Sequence, residues 1–100
     1  MVTLERERTV SIPFHDVNVD VTFNVPTAEE AQTKIRGVKE LTDTGLFKTF
    51  VTKVQSVYVE GWGEGVSAET VMNSPGTFNL VSKVAMEIVN AAFLMDSEKN

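Results

Sequence analysis

Residues 9–25 alternate between apolar and polar side chains, a pattern that leaves few possible folds for this part of the chain. The apolar positions of its two runs are Val10, Ile12, Phe14, Val17, Val19, Val21, Phe23 and Val25. Successive side chains of a strand point to opposite faces of a sheet, so this period of two predicts strands with one buried face.

The segment His15-Asp16-Val17-Asn18 separates the two runs and contains two residue types that favour turns. An even-length loop here places both apolar runs on the same face, which predicts a β-hairpin over residues 9–25. Pro13 has no N–H to donate to a sheet and therefore suits an edge strand. An isolated hairpin is only marginally stable in water, so its apolar face must pack against helices or another chain.

A helix is expected directly after the hairpin. Thr27 can cap its first turn, and Glu30 can complete a capping box three residues later. The apolar residues that follow keep helical spacing, so the helix is expected to continue to about Gly37.

The next helix is expected to start at Asp43 or Thr44 and to end near Glu60. Its apolar residues, which recur at helical spacing, are Leu46, Phe47, Phe50, Val51, Val54, Val57 and Tyr58. The glycine-rich run 61–65 then predicts a helix-terminating loop, with Trp62 folding back onto the bundle.

Two further helices are expected in the last third of the chain. Ser67 predicts the start of a short helix that runs to about Asn73. Pro75 is expected at the first position of a longer helix, from about Gly76 to Met95, because the missing N–H costs nothing there.

Strands followed by helices predict the α+β class, with an N-terminal β-hairpin packed on a small bundle of three to four α-helices. The 100 residues fit a single domain with a radius of gyration of about 13 Å. Its expected parts are an N-terminal arm (1–8), the β-hairpin (9–25), a helical part (27–95) and a polar tail (96–100). No apolar run approaches the ~20 residues needed to cross a bilayer, and no signal peptide is apparent.

Residue types that carry catalysis or bind metals are scarce. The chain has no cysteine and a single histidine, His15, which is expected to be an exposed residue of the hairpin turn. The carboxylate pairs Glu29/Glu30 and Asp96/Glu98 fit a helix start and a solvated tail better than an acid–base pair. We therefore expect no enzymatic activity, no cofactor and no metal site.

The remaining polar chemistry argues against nucleotides and nucleic acid. The run 61–65 contains three glycines but lacks the Lys-Ser/Thr of a phosphate loop, and Glu64 would repel a phosphate. The formal net charge of −5 and the scattered lysines and arginines disfavour nucleic acid and anionic membranes. A binding protein is the class that these observations favour.

The last helix carries more apolar surface than a small domain readily covers, since its apolar face is about twice as wide as that of an ordinary surface helix. The continuous face consists of Leu80, Val81, Val84, Ile88, Ala91, Ala92 and Met95, and it is extended sideways by Phe78, Met86, Val89 and Phe93. The narrow polar strip consists of Asn79, Lys83, Glu87 and Asn90.

Two interpretations of this helix are open. It is either the central post of the core or a helix shared between the core and a partner. In the second case the core-facing residues are Leu80, Val84, Ile88 and Ala91. The partner-binding or self-association surface then consists of Met86, Val89 and Phe93, joined by Trp62, because methionine and aromatic side chains are adaptable contact residues.

The order of elements over residues 17–100 resembles a known family. Val59–Trp62 forms an aromatic-glycine helix end, and Gly65–Val71 (Gly-Val-Ser-Ala-Glu-Thr-Val) forms a loop and a helix start. Asn73–Gly76 then supplies a Pro-Gly break before the closing apolar helix, and the chain ends in Glu-Lys-Asn. Upstream, Val21–Ala31 combines a strand, a Pro-Thr pair and an acidic helix start. This pattern is similar to that of the tail assembly chaperones of long-tailed bacteriophages.

The resemblance implies a non-enzymatic chaperone of the host cytoplasm that is made during infection and is not part of the finished virion. Members of the family bind the long, largely helical tape measure protein and keep it soluble until tube subunits polymerise around it. The tail tube protein and a second copy of the chain are further candidate partners. A longer product made by a −1 ribosomal frameshift is also typical of the family. Spare apolar area on an acidic scaffold agrees with this role.

The alternative is a structural or scaffold component of a virion. In that case the hairpin and a helix join identical subunits into a ring, and edge-strand pairing through residues 9–14 matters more than the last helix.

Overall fold

The computed structural model of the protein describes residue 4, residues 6–35 and residues 42–93. Its elements in these ranges are β1 (Glu7–Phe14), β2 (Val17–Asn24), α1 (Ala28–Glu30) continued by a π-helical segment (Ala31–Ile35), α2 (Asp43–Phe50), β3 (Val51–Gln55), α3 (Ala68–Met72) and α4 (Phe78–Phe93). They confirm the predicted α+β class with an N-terminal β-hairpin packed on helices. The radius of gyration is 13.6 Å.

β1 and β2 form the predicted antiparallel hairpin, with Ile12 opposite Val19. The two-residue loop His15-Asp16 has positive φ at both positions, 48° and 67°, which is typical of a type I′ turn. Because this loop is even in length, the apolar runs share one face, as expected. β1 begins at Glu7, two residues before the predicted start of the hairpin.

The turn also fixes which peptide groups of β1 face β2. In a two-residue hairpin the flanking residues, here Phe14 and Val17, exchange both hydrogen bonds, and such pairs recur every second residue. The Val25 N–H donates to the Arg6 carbonyl at 2.9 Å. Arg6, an even number of residues before Phe14, therefore also directs its peptide group towards β2. The peptide groups that point away from β2 are therefore those of Glu7, Thr9, Ser11 and Pro13.

Pro13 lies on an edge strand, as predicted, because the order of strands in the sheet is β1-β2-β3. Its missing N–H would have pointed outward, so no hydrogen bond of the β1–β2 ladder is lost.

β3 corrects the predicted helix that was expected to reach Glu60. α2 ends at Phe50, and the chain passes directly into a strand that pairs antiparallel with β2. A bulge interrupts the pairing: Phe23 lies opposite Val51 and the preceding residue of β2 lies opposite Lys53, so Thr52 is the extra residue.

The bulge explains why the periodicity indicated a helix here. Val51 and Val54 are three residues apart, yet both are buried, while Thr52 and Lys53 between them are exposed. A regular strand buries every second residue, whereas this bulged strand imitates the i, i+3 spacing of a helix.

The starts of α1 and α3 agree with the sequence. Thr27 and Glu30 form the capping box: the Glu30 N–H donates to Thr27 Oγ1 at 3.1 Å, and the Thr27 N–H donates to Glu30 Oε1 at 2.9 Å. Ser67 caps α3. The predicted helix ends near Gly37 and Met95 and the predicted polar tail lie outside the described residues.

The start of α4 differs from the prediction. The helix begins at Phe78, and Pro75 does not occupy its first position. Gly76 has a φ of 77°, which a right-handed helix does not contain, so these two residues form a turn before α4. Thr77 is buried at the junction, where its Oγ1 donates to the Val71 carbonyl at 2.8 Å.

The core lies between the inner face of the sheet and the helices. Its largest fully buried side chains are Phe23, Phe47, Leu80, Ile88, Val19, Val21, Val54, Val71, Val81 and Val84. α4 packs chiefly against α2 and β1. The opposite face of the sheet is polar, with Thr9 and Thr22 joined by a hydroxyl–hydroxyl hydrogen bond of 2.8 Å.

Replacing Thr52 by Ala distinguishes the bulged strand from a helix by the sign of the stability change. In a strand the change loses β propensity and the hydrogen bond from Thr52 Oγ1 to the Thr22 carbonyl (3.2 Å). We therefore expect the free energy of unfolding to fall by about 0.5–1 kcal/mol. In a helix the same change would raise it by up to about 0.7 kcal/mol. Urea unfolding of both proteins measures the difference, and a stabilised Thr52→Ala protein contradicts β3.

Candidate partner-binding surface

α4 has a buried side that faces the sheet and α2. Its buried residues are Leu80, Val81, Val84, Ala85 and Ile88. Three of the four residues predicted to face the core belong to this group, and the fourth, Ala91, is half-buried. One side of the helix is therefore fully used by the fold.

A second side of α4 combines exposed and half-buried apolar residues. Met86 is 66% exposed, while Val89 and Phe93 are half-buried. At about 100° per residue these three side chains fall within an arc of about 60° and span about 10 Å along the helix axis. We call these three residues the α4 stripe.

The α4 stripe has the spacing of a helix–helix contact. Its steps of three and then four residues are those of one heptad, the repeat that brings apolar side chains of two neighbouring helices together. Val89 packs against the core, so the middle of the stripe is anchored, and Met86 is its most accessible member. The surface therefore fits a helix lying alongside α4.

Phe78 is a further exposed residue of α4 that the sequence did not assign to a partner surface. It is 64% exposed and lies two turns before Met86 on the same side of the helix. Ser82 lies between them and donates to Asp43 Oδ2 of α2 at 2.7 Å. The start of α2 thus separates Phe78 from the α4 stripe, and Phe78 forms a contact point of its own.

Trp62 does not lie with the other predicted contact residues. It is only 6% exposed and stacks on Phe14, with ring centroids 6.1 Å apart and an interplanar angle of 12°. Positive φ at Gly61 (85°) and Gly65 (98°) lets the loop turn back so that the indole reaches the core. The predicted inward folding of Trp62 is confirmed, and its side chain belongs to the core. The prediction that the run 61–65 ends a helix is wrong, because the element before this loop is the strand β3.

The same loop presents two exposed apolar side chains that the sequence analysis placed on a helix. Val57 is 75% exposed and Tyr58 is 71% exposed. Ser56 is buried beneath them: its Oγ donates to the Asn18 carbonyl at 3.0 Å and accepts the Tyr58 N–H at 3.2 Å. The β-branched run of β3 and the three glycines that follow were the signals for a strand and a turn here.

Three observations on the described ranges concern metal ligands and membrane-spanning helices. His15 is an exposed turn residue, as predicted. Its ring lies edge-to-face with that of Phe14, and the two ring centroids are 4.5 Å apart. No three His, Cys, Asp or Glu side chains in these ranges come together as a metal site. None of the helices described is both long and apolar enough to cross a bilayer.

Comparisons of the chain with protein-family models, curated proteins and solved structures gave no match. The similarity to tail assembly chaperones therefore rests on the order and spacing of the residues named above. One element of that pattern differs in the structure: Val59–Trp62 is not the end of a helix, because it follows β3.

Because Met86 is exposed and Trp62 is buried, shortening these two side chains is expected to lower the free energy of unfolding by different amounts. Met86→Ser removes an exposed side chain, and we expect the free energy of unfolding to change by about 0.5 kcal/mol or less. Trp62→Ala leaves a cavity beside Phe14, and we expect a loss of about 3–5 kcal/mol. Urea unfolding measures both. A Met86→Ser protein as unstable as Trp62→Ala would place Met86 in the core instead.

Proposed function

We propose that the protein is a non-enzymatic tail assembly chaperone that binds the tape measure protein of a long-tailed bacteriophage through the α4 stripe. It acts in the host cytoplasm and does not remain in the finished virion. The observation that carries the proposal is the exposure of Met86, at 66%, beside half-buried Val89 and Phe93. The family resemblance supplies the identity of the client.

The shape of the surface fits a helical client. A tape measure protein has long helices whose apolar residues need cover until the tail tube encloses them. The heptad spacing of the α4 stripe allows one such helix to lie along α4 with its apolar side chains against Met86 and Phe93. Because Val89 is held by the core, the contact surface is formed before the client arrives.

The small size of the surface fits a temporary complex. A stable interface buries about 800 Å² on each partner, and three side chains over about 10 Å cover much less. Each copy therefore binds weakly, and several copies along one long client hold it together. Tube subunits can then displace them one at a time.

The charge of the chain fits a solubilising role. A formal net charge of −5 on each bound copy surrounds the client with like charges, which repel other loaded complexes. The same charge gives no attraction for nucleic acid.

Met86→Ser tests the proposed contact without disturbing the core. We expect the purified variant to bind a tape measure fragment at least tenfold more weakly than the unchanged protein, because the most accessible apolar side chain of the stripe is lost. Isothermal titration calorimetry measures the affinity, and co-expression measures the soluble fraction of the fragment.

Two further variants make that test specific. Met86→Leu keeps an apolar side chain of similar size and is expected to bind normally. Asn90→Ser changes the exposed polar strip of α4 and is also expected to bind normally. Unchanged binding by Met86→Ser, or equal losses in all three variants, contradicts a contact at the α4 stripe.

The open edge of β1 is the observation that favours the alternative, a ring-forming scaffold component. α4 packs against β1, so two copies joined edge to edge as antiparallel strands would bring their two α4 helices together on one face of the joined sheet. Packed helices need 8–10 Å between their axes, whereas neighbouring strands lie only about 4.8 Å apart. This conflict favours the chaperone.

Sedimentation separates the two functions. We expect a monomer or a loose oligomer at micromolar concentration, and no copies in mature particles. A discrete ring that is also present in mature particles supports the scaffold and contradicts the chaperone.

A further inference from the structure

The two edges of the sheet differ in whether another segment of the described ranges pairs with them. Beyond β3, Val54 and Val66 exchange two backbone hydrogen bonds of 2.9 and 2.7 Å, so residue 66 covers that edge at Val54. Beyond β1, no strand of the described ranges pairs with the outward peptide groups. An edge of this kind is a template for another extended segment.

Within residues 6–35 and 42–93, one end of the β1 edge is blocked. Near the hairpin turn Pro13 has no N–H, and its carbonyl accepts a hydrogen bond from Lys83 Nζ at 3.4 Å. The outward N–H and C=O groups of Glu7, Thr9 and Ser11 follow along the strand. These three residues are exposed, and they form the accessible part of the edge.

The accessible part of the edge is basic on its inner side. Arg6 and Arg8 are in phase with the core-facing residues of β1, and both are exposed. They line a groove of about 800 Å³ whose apolar walls include Val25, Ala28 and Ala91. Arginine binds carboxylates with paired hydrogen bonds, so a basic groove in a chain of net charge −5 favours an acidic ligand.

The ligand must also be narrow, because α4 lies over β1. An extended peptide needs only one strand spacing, about 4.8 Å, and carries no helix that would collide with α4. A second copy of this chain carries its own α4 and the same negative net charge.

We infer that the edge of β1 is a docking site for an extended, acidic peptide segment of a partner protein. The segment adds to the sheet as a fourth strand beside residues 6–11. Glu7, Thr9 and Ser11 supply the backbone hydrogen bonds, and every second side chain of the segment places a carboxylate on the side of the sheet that carries Arg6. The site is separate from the α4 stripe and does not depend on the chaperone function.

A titration with a short acidic peptide tests this site. The probe is an acetylated, amidated hexapeptide of three Thr-Glu repeats, and its control has Thr-Gln repeats. In ¹⁵N spectra of the full chain we expect the largest shifts at the amides of Thr9 and Ser11. We expect the Glu peptide to bind at least tenfold more tightly than the Gln peptide at low salt, with a smaller difference in high salt.

Substitutions in the protein test the two parts of the site separately. Ser11→Pro removes one outward N–H, as Pro13 does naturally two residues later, and we expect at least tenfold weaker binding. Ser11→Thr keeps the N–H and is expected to bind normally. Arg6→Gln is expected to weaken binding of the Glu peptide and to leave binding of the Gln peptide unchanged.

A modified peptide keeps the test decisive if Ser11→Pro fails to fold. Two forms of the Glu peptide carry N-methyl groups on every second residue, one form on its Thr residues and the other on its Glu residues. Only one of these two sets of N–H groups can face β1, and methylation of that set is expected to abolish binding. Three results overturn the site: no binding at millimolar peptide, equal binding by both methylated forms, or a dimer of the chain whose formation protects the Thr9 and Ser11 amides.

Discussion

β2 is the strand on which the rest of the structure depends, because it pairs on both sides and supplies three fully buried side chains, Val19, Val21 and Phe23. β1 is held against it by a two-residue turn, and β3 is held by a bulged ladder. The helices cover the apolar face that these strands create, with α4 over β1 and α2 against α4. A hairpin alone would be marginal in water, so the third strand and the helices complete a core that the hairpin cannot form.

The predictable parts of the fold are those in which local chemistry and tertiary packing agree. The hairpin, the Thr27 capping box and the buried side of α4 follow from turn residues, caps and apolar spacing. β3 could not be predicted in this way, since the bulge at Thr52 gives a strand the spacing of a helix. Because β3 was predicted as part of a helix, Val57 and Tyr58 were also placed on that helix. They are instead exposed in a turn that Ser56 stabilises by accepting the Tyr58 N–H.

The candidate surfaces were predictable to different degrees. Met86, Val89 and Phe93 are visible in the sequence because a helix so broadly apolar has more surface than one core contact uses. Trp62 looked similar in composition, but its position in space depends on a glycine-rich loop and a stacking partner, Phe14, that lies 48 residues earlier. The outward-facing peptide groups of β1 could not be identified from the sequence, because they depend on which residues of the hairpin are hydrogen-bonded to each other. The two-residue turn fixes that pattern. The protein thus combines one core with two separate surfaces that we propose as contact sites, one apolar and suited to a helix, the other a strand edge suited to an extended segment.

The most direct measurement of the role of the α4 stripe is the methyl spectrum of the protein, labelled with ¹³C at its methionine methyl groups, during addition of a tape measure fragment. Met86 is exposed on the stripe, whereas Met72 on α3 is half-buried against the core and serves as an internal reference. We expect the Met86 methyl signal to shift or broaden in proportion to the fragment added, while the Met72 signal stays in place. A complex that forms with the Met86 signal unchanged would contradict binding at the α4 stripe.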